Sequence, residues 1–449
     1  MKCFAAGLVV ASILMLPGKV RAQESGIDSA TGDTLTLSQA LQWAMEENHG
    51  IRMARNTAGI DANRATPGYA GYLPRLNLVG SVERSVLDKR IEFGNQLPVK
   101  EKDQAISTRY NSALVLSYTL FDGFGNRYRL NSLRTEEKLS SVETRLRVEQ
   151  TLLNVIDSYL RVIGQQRLLD ISREAVELSD ERYRRVQKQY KMGGRSKVDL
   201  LNAEVALNQD STRHIQSQAD LRQAKRDLLV LLGQSPAGEI TIQPEFEIDR
   251  SLELARIRQQ AQKENVTITA DRLEIRQAKL NLKQSRAEQY PSLNLEFLYG
   301  YTRAEDEVSI QSFQSSDGFS GGLTLQFNLF NGFRRSIEKQ NAQLRLENSR
   351  ERHEQTGKEI SRNILNTWEQ YETNLLLLDR QRLNVKTAEL NFRHTREAFR
   401  LGQATNSELR EAQLNLLGAQ QQFIEIKIRA KQTEIRLLQL SGQLTGRVE

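Results

Sequence analysis

One feature limits the folds open to this chain more than any other: it is a duplication. Leu-Ser-Tyr-Thr-Leu-Phe-Asp-Gly-Phe at 116–124 returns as Leu-Gln-Phe-Asn-Leu-Phe-Asn-Gly-Phe at 325–333, 209 residues later. The same offset carries Tyr190 to Phe399, Gly193 to Gly402, Ser196 to Thr405, Asp199 to Glu408, Ala203 to Ala412 and Gly233 to Gly442. Upstream, Tyr72-Leu-Pro-Arg-Leu-Asn-Leu78 matches Gln289-Tyr-Pro-Ser-Leu-Asn-Leu295 at an offset of 217, as does Asn48 to Asn265. The first copy therefore holds eight more residues between these two landmarks. A constant offset over so long a span marks two copies of one unit, so any fold read for one half must serve the other.

Within each copy the hydrophobic period switches. Tyr110, Leu114, Leu116, Tyr118 and Leu120 alternate with polar residues, as do Phe319, Leu323, Leu325, Phe327 and Leu329. After Pro74 the same period runs through Leu76, Leu78 and Val82, and after Pro291 through Leu293, Leu295, Phe297, Tyr299 and Tyr301. Period two predicts strands of about ten or eleven residues with one apolar and one polar face, paired as one hairpin per copy. Elsewhere the period is helical: Leu139, Leu146, Leu153 and Leu160 fall seven apart, a coiled-coil-like seam. Proline interrupts helices, and all 7 prolines lie outside 99–235 and 292–449. The chain can thus carry one long helix per copy, near 126–190 and 335–399, each about 98 Å long at ~1.5 Å per residue. Shorter helices follow the glycines at 193–194 and 402, and others precede the hairpins near 36–66 and 251–288. End to end, the two shorter helices of a copy could span its long one.

These signals divide the chain in order. A leader (1–22) precedes an N-terminal segment and helix (23–72), the first hairpin (73–121) and the first long/short helix pair (122–233). A Pro- and Gly-bearing linker (234–250) leads to a helix (251–290), the second hairpin (291–330), the second helix pair (331–442) and a short tail (443–449).

The leader reads as a Sec-type signal peptide: Lys2, an apolar run from Phe4 to Leu16, Pro17, and Val20-Arg21-Ala22 before the cut. It holds the only cysteine, Cys3, so the mature chain has neither disulfide nor thiolate chemistry. Losing Lys2, Lys19 and Arg21 lowers the formal charge from +7 to +4, which gives nucleic-acid binding little support. No apolar run reaches the 18 or more residues of a membrane-spanning helix.

Four amphipathic strands leave two open edges. Ten residues suit a tilted membrane β-strand, and aromatic residues cluster in and beside these (Tyr110, Tyr118, Phe121, Tyr299, Phe319, Phe330) as interface girdles do. A membrane sheet must close to satisfy its backbone, and four strands are too few to enclose an aqueous lumen. Several chains would have to share one barrel. The competing reading is a small soluble sheet capping a periplasmic coiled-coil scaffold.

The order of a helix, a Pro-led hairpin ending in Leu-Phe-Asp/Asn-Gly-Phe, a long helix, a Gly turn and a shorter helix, performed twice, resembles the TolC-type outer-membrane efflux proteins. The resemblance covers essentially the whole mature chain. It implies a mostly α protein with transmembrane β: four strands per chain in a trimeric twelve-stranded barrel, above a long coiled-coil α-helical tunnel in the periplasm. It implies a homotrimer in outer-membrane lipid, working with a periplasmic adaptor (membrane fusion) protein and an inner-membrane transporter. The function implied is the exit duct of a tripartite efflux pump or, alternatively, of a type I protein secretion system. Landmarks of the barrel hairpins are Pro74, Phe121, Pro291 and Phe330. The turns at Gly193, Gly194 and Gly402 lie one long helix away and are the expected adaptor contacts.

The family closes its tunnel with acidic residues six and nine positions after the second-copy glycine, here Glu408 and Glu411. The first-copy positions hold Asp199 and Asn202. Rings of such carboxylates around a narrow pore would attract cations and repel anions. The same residues also fit a plainer role, since Ser196-x-x-Asp199 and Thr405-x-x-Glu408 have the spacing of helix capping boxes. The sequence departs from the family at Ala404, where the latch arginine of the family's model member would stand. Nothing points to catalysis or to a cofactor: the four His (49, 214, 353, 394) have no metal-ligand spacing, and no nucleophile or phosphate-loop motif is present.

Overall fold

The computed structural model describes residues 34–92, 99–309 and 311–444. The expected leader at 1–22 and the end of the tail lie outside the described residues. In chain order come α1 (Leu37–Glu47), α2 (His49–Arg64), β1 (Arg75–Ile91), β2 (Lys100–Phe121), α3 (Gly125–Lys191) and α4 (Lys197–Leu231). The second copy follows with α5 (Leu254–Glu264), α6 (Val266–Ala287), β3 (Ser292–Asp306), β4 (Phe313–Gln326), α7 (Arg334–Arg400) and α8 (Asn406–Leu440). The long helices α3 and α7 each run 67 residues without a break, about 100 Å at ~1.5 Å per residue. Helices α7 and α8 begin and end 209 residues after α3 and α4, so the sequence offset is also the structural one.

The helix before each hairpin corrects the sequence expectation of a single element, because each is broken in two. The break falls at Asn48 and at Asn265, whose extended ψ angles (122° and 125°) end one helix and start the next. Each asparagine caps the new helix with its side-chain oxygen, which accepts from Gly50 N and Ile51 N, or from Thr267 N and Ile268 N. Its amide nitrogen donates to a last carbonyl of the distant shorter helix: Asn48 to Leu231 O at 2.8 Å, Asn265 to Leu440 O at 2.9 Å. The break is thus made by tertiary docking. It sets α2 against the end of α4, and α6 against the end of α8, as jointed counterparts of α3 and α7. The close approach needs glycine. Gly233 (φ +75°) and Gly442 (φ +80°) lie where an added Cβ would fall 2.5 Å from Glu47 O and Glu264 O.

Helix α3 packs on α2 and α4 on one side and on α6 and α8 on the other, while α7 packs on α6 and α8 and, more lightly, on α5. The sheet has the matching order β1-β2-β3-β4, antiparallel throughout. Its register aligns one face across all four strands. Leu78 faces Leu114, Leu114 faces Tyr299, and Tyr299 faces Phe319; Leu76, Leu116 and Phe297 form the next row. On the other face Ser81, Asn111, Thr302 and Ser316 line up. The strands run 17, 22, 15 and 14 residues, longer than the ten or eleven expected. The apolar alternation marks only the part of each strand nearest the long helices. The ladder continues into charged ends, where Lys89 meets Asp306 at 2.5 Å and Lys102 meets Glu307 at 2.8 Å.

Each hairpin passes to its long helix through two consecutive left-handed residues, Gly123-Phe124 (φ 67°, 69°) and Gly332-Phe333 (φ 65°, 62°). A left-handed phenylalanine is uncommon. Here it brings the ring edge-on to the aromatic three residues before it, Phe121 to Phe124 at 5.7 Å and Phe330 to Phe333 at 5.4 Å between centroids. Pro74 and Pro291 stand one residue before β1 and β3, where a missing N–H breaks no ladder bond. The cores form a waist. Leu152, Ile156, Leu160 and Ile163 of α3 pack with α1 and Leu228, and Ile364 and Tyr371 of α7 pack with α5 and Leu437. Two tyrosine hydroxyls strap irregular chain to the long helices. Tyr159 donates to Leu35 O (2.9 Å) and Gln243 O (3.2 Å), and Tyr371 donates to Asp249 O. Burial pushes the Tyr371 phenol up to about 12.

Candidate functional site: the helical tip

The far ends of α3 and α7 reverse through two turns of one design. Gly194 N donates to Gln189 O (2.8 Å) and Gly193 N to Tyr190 O (3.0 Å); Gln403 N and Gly402 N repeat the pair on Ala398 O and Phe399 O. This 6→1 with 5→2 pattern is the Schellman C-cap, and it needs the left-handed φ that Gly193 (+75°) and Gly402 (+76°) supply. Gly194 serves as the next residue of the motif without a positive φ. Ser196 and Thr405 then start the return helices.

Both predicted capping boxes are present. Asp199 N donates to Ser196 Oγ (3.1 Å) while Asp199 Oδ2 accepts from Ser196 N (3.3 Å) and Oγ (2.8 Å). Glu408 Oε2 accepts from Thr405 N (2.6 Å) and Oγ1 (2.9 Å). Those bonds from the Thr405 backbone and hydroxyl hold the exposed Glu408 carboxyl below the usual carboxylate range. Glu411, one turn further on, is exposed and has no hydrogen-bond or ion-pair partner among the described residues. So two of the three acidic candidates are tied into the caps of their own helices, and one is free. Ala404 is half-buried.

Further along the return helices lies a cluster that sequence reasoning missed. Asp210 of α4 is fully buried and receives a two-pronged contact from Arg410 of α8, at 2.6 and 3.1 Å. Ser179 of α3 donates to the same carboxylate. Arg410 and Arg182 both reach Gln413 Oε1 at 3.3 Å, and Gln413 Nε2 donates to Ala175 O at 3.4 Å. A bidentate guanidinium–carboxylate pair away from water is geometrically specific. It joins the two copies of the repeat near the tip. Its members are 200 residues apart, and under the 209 offset Asp210 corresponds to Ala419. No local pattern and no repeat symmetry could have announced it.

Among the described residues, no group of three or more His, Cys, Asp or Glu could hold a metal ion, and no helix is long and apolar enough to cross a membrane. The barrel landmarks Phe121 and Phe330, with Pro74 and Pro291, lie at the opposite end of the long helices from the tip glycines.

A profile of the "Outer membrane efflux protein" family matches residues 40–234 and 257–443. Among curated relatives, the chain is 22% identical over 410 residues to "Probable efflux pump outer membrane protein TtgC" of Pseudomonas putida, covering 90% of this chain and 82% of that one. It is 23% identical over 374 residues to "Alkaline protease secretion protein AprF" of Pseudomonas aeruginosa, covering 80% and 74%. Among solved structures, the outer membrane protein VceC of Vibrio cholerae has a TM-score of 0.74 at 17% identity, over 90% of this chain and 96% of that one. The CmeC outer membrane channel of Campylobacter jejuni has a TM-score of 0.75 at 16% identity, over 91% and 86%.

Proposed function

The chain belongs to the outer membrane efflux protein family, and from that premise we propose that it is the outer-membrane duct of an efflux pump. Three copies close a shared barrel in the lipid and a helical tunnel below it. One observation carries this reading: the sheet and the helical layer are open at the same two edges, and those edges are apolar. Helix α7 leaves Leu365, Leu376, Leu383 and Leu390 exposed, and the opposite edge leaves Met53, Ile60, Val205 and Ile215 exposed. β1 and β4 are the matching free strands. Edges of different composition join head to tail, and such a contact repeated by rotation closes a ring. Two copies would supply eight strands, whose interior side chains fill; three supply twelve and leave an aqueous lumen.

In this reading the sheet's apolar face meets lipid and the aromatic pairs Phe121–Phe124 and Phe330–Phe333 mark its lower boundary. The turns at Gly193, Gly194 and Gly402 are the ends offered to a periplasmic adaptor, which an inner-membrane transporter drives. Three copies of Asp199, Glu408 and Glu411 place carboxylates around the tip opening. Asp199 and Glu408 cap their helices there as well, and Glu411 is the acid with no competing partner. The chain is delivered through a Sec-type leader cut after Ala22, and it moves cargo without catalysing a reaction. A second reading, an exit duct for protein secretion, draws on the likeness to the alkaline protease secretion protein.

The test is the native mass of the full-length protein extracted in detergent from purified outer membranes. Three chains are expected, together with pores in planar bilayers whose cation preference falls when Glu411 is replaced by Ala. A monomer that needs no detergent would sink the proposal. Loss of the gene separates the two readings: drug sensitivity follows for an efflux duct, and loss of one extracellular protein follows for a secretion duct.

A further inference from the structure

Two stretches of helix next to the sheet are basic with no acidic counterweight. Residues 125–135 of α3 hold Arg127, Arg129 and Arg134, and residues 276–287 of α6 hold Arg276, Lys279, Lys283 and Arg286; neither holds an Asp or Glu. Those seven equal the formal excess of +7 for the entire chain. The repeat does not require them. The four α6 positions correspond to Gly59, Ala62, Thr66 and Tyr69 at the 217 offset, and Arg127 and Arg134 to Ser336 and Gln343 at the 209 offset. Helix stability does not require them at α3 either, because basic residues in a first turn oppose the helix dipole.

Six of the seven share one surface. Arg276, Lys279, Lys283 and Arg286 recur at steps of three and four, which is a single face of α6, and Arg127 and Arg134 stand seven apart on α3. All six are exposed, and none has an ion-pair partner among the described residues. Helices α3 and α6 pack on each other, and Lys283 Nζ lies 5.9 Å from the Tyr128 ring centroid, so the two rows form one patch. The opposite faces of the same helices fix its direction. A depression where the helices meet the sheet is lined by Ser292 and Gln326, on the sheet's polar face, and by Arg129 and Ser285. Arg129 and Ser285 each follow a patch residue by two positions, about 200° around a helix of 3.6 residues per turn. The patch therefore looks out on the side of the sheet's apolar face.

Helices α3 and α6 are the inner pair of the layer, so the edges α2 and α7 offer to neighbouring copies leave the patch uncovered. It extends about 17 Å down the helices from the sheet, at ~1.5 Å per residue. A lipid headgroup layer of about 5–8 Å, with a screening length of about 8 Å beyond it, covers nearly that depth. We propose that the patch binds the headgroups of anionic phospholipids in the leaflet nearest the tunnel. The inference rests on the duct reading, which puts the sheet's apolar face in lipid. Each basic residue at such a surface strengthens association with anionic lipid about fivefold.

The test uses the full-length protein reconstituted in phosphatidylcholine vesicles with trace spin-labelled phosphatidylglycerol or phosphatidylcholine. The motionally restricted label at the protein surface should favour phosphatidylglycerol about fivefold or more, and high salt should bring the ratio near one. Lys279→Gln, Lys283→Gln and Arg286→Gln together should remove most of the preference, while Arg129→Gln, on the other face, should leave it unchanged. Equal association of the two lipids in vesicles that carry the protein overturns the proposal and leaves the duct reading standing. Protein that does not float with the vesicles overturns both. A preference abolished by millimolar inorganic phosphate at fixed ionic strength assigns the patch to free phosphate and overturns the proposal, as does an equal loss in Arg129→Gln. The wild-type comparison decides the matter even where the triple variant fails to fold.

Discussion

Helices α3 and α7 are the same element copied, equal in length and in the turns at both ends, yet their middles are built oppositely. At the waist α3 offers Leu153, Ile156, Leu160 and Ile163, all buried. The positions 209 residues later are Arg362, Leu365, Glu369 and Glu372, all exposed. Among its large apolar side chains α3 exposes only Tyr190, whereas α7 exposes Ile337, Leu344, Leu365, Leu376, Leu377, Leu383 and Leu390. The difference follows from place in the layer. Helix α3 has neighbours on both sides and buries a broad face; α7 has neighbours on one side and keeps a stripe uncovered. Duplication set the backbone of both halves, and lateral position decided which side chains each half could keep apolar.

The sharpest way to break this comparison is to truncate the same register in both helices. Leu160→Ala, at a site 1% exposed, should cost about 2–5 kcal/mol in chemical denaturation. Glu369→Ala, its counterpart on the surface of α7, should stay within about 0.5 kcal/mol. Equal losses would mean that the two waists are alike after all.

The joints offer the opposite control, because there the copies agree. Gly233→Ala and Gly442→Ala each force a Cβ against a carbonyl oxygen 2.5 Å away in a left-handed backbone. Each should cost about 1–3 kcal/mol, by nearly the same amount in the same assay. A large inequality would show that one joint matters more than its copy.

On the edge stripe, Leu383→Glu should leave the chain's own stability within about 0.5 kcal/mol. Native mass should nevertheless move from the assembled species toward single chains. Unchanged assembly would remove α7 from the proposed contact.

The smallest effect expected is a pH dependence. Glu149 of α3 is buried, and burial raises its carboxyl above the ordinary 4.5; Lys358, its counterpart in α7, is exposed. The folded state therefore holds this proton more tightly than the unfolded state. Its contribution to stability is fully present below pH 4.5 and is lost as pH rises through the raised value. Melting curves of Glu149→Gln should run higher than wild type near pH 7 and converge with it near pH 4, while Lys358→Gln should alter neither end.

The long helices, the hairpins and the two-copy plan were legible because each is written as periodicity or as a shared offset, signals that need no knowledge of contacts. The tip turns were legible for the same reason: Gly193 with Ser196-x-x-Asp199, and Gly402 with Thr405-x-x-Glu408, are complete local motifs. The breaks at Asn48 and Asn265 were not read, although the two asparagines were visible as equivalents. An asparagine within a helical pattern is tolerable until a remote carbonyl, here Leu231 O or Leu440 O, claims its amide. Strand length was underestimated because alternation reports where apolar surface is needed, while the ladder runs on through charged ends such as Lys89 and Asp306. The Asp210–Arg410 pair was beyond reach, since it is made where the two copies meet and neither copy holds it alone.

The joints also have a mechanical meaning. Four parallel staves make up one chain's share of the wall, and two of them, α3 and α7, are covalently continuous from sheet to tip. The other two are each interrupted at mid-height, where a single asparagine amide and a close glycine contact stand in for the backbone. A pull on the tip is therefore carried to the barrel by alternate staves only. Their neighbours can shear or twist at the waist without unwinding a turn of helix. A wall made this way is stiff along its length and compliant in torsion, a combination that neither four unbroken helices nor four jointed ones would give.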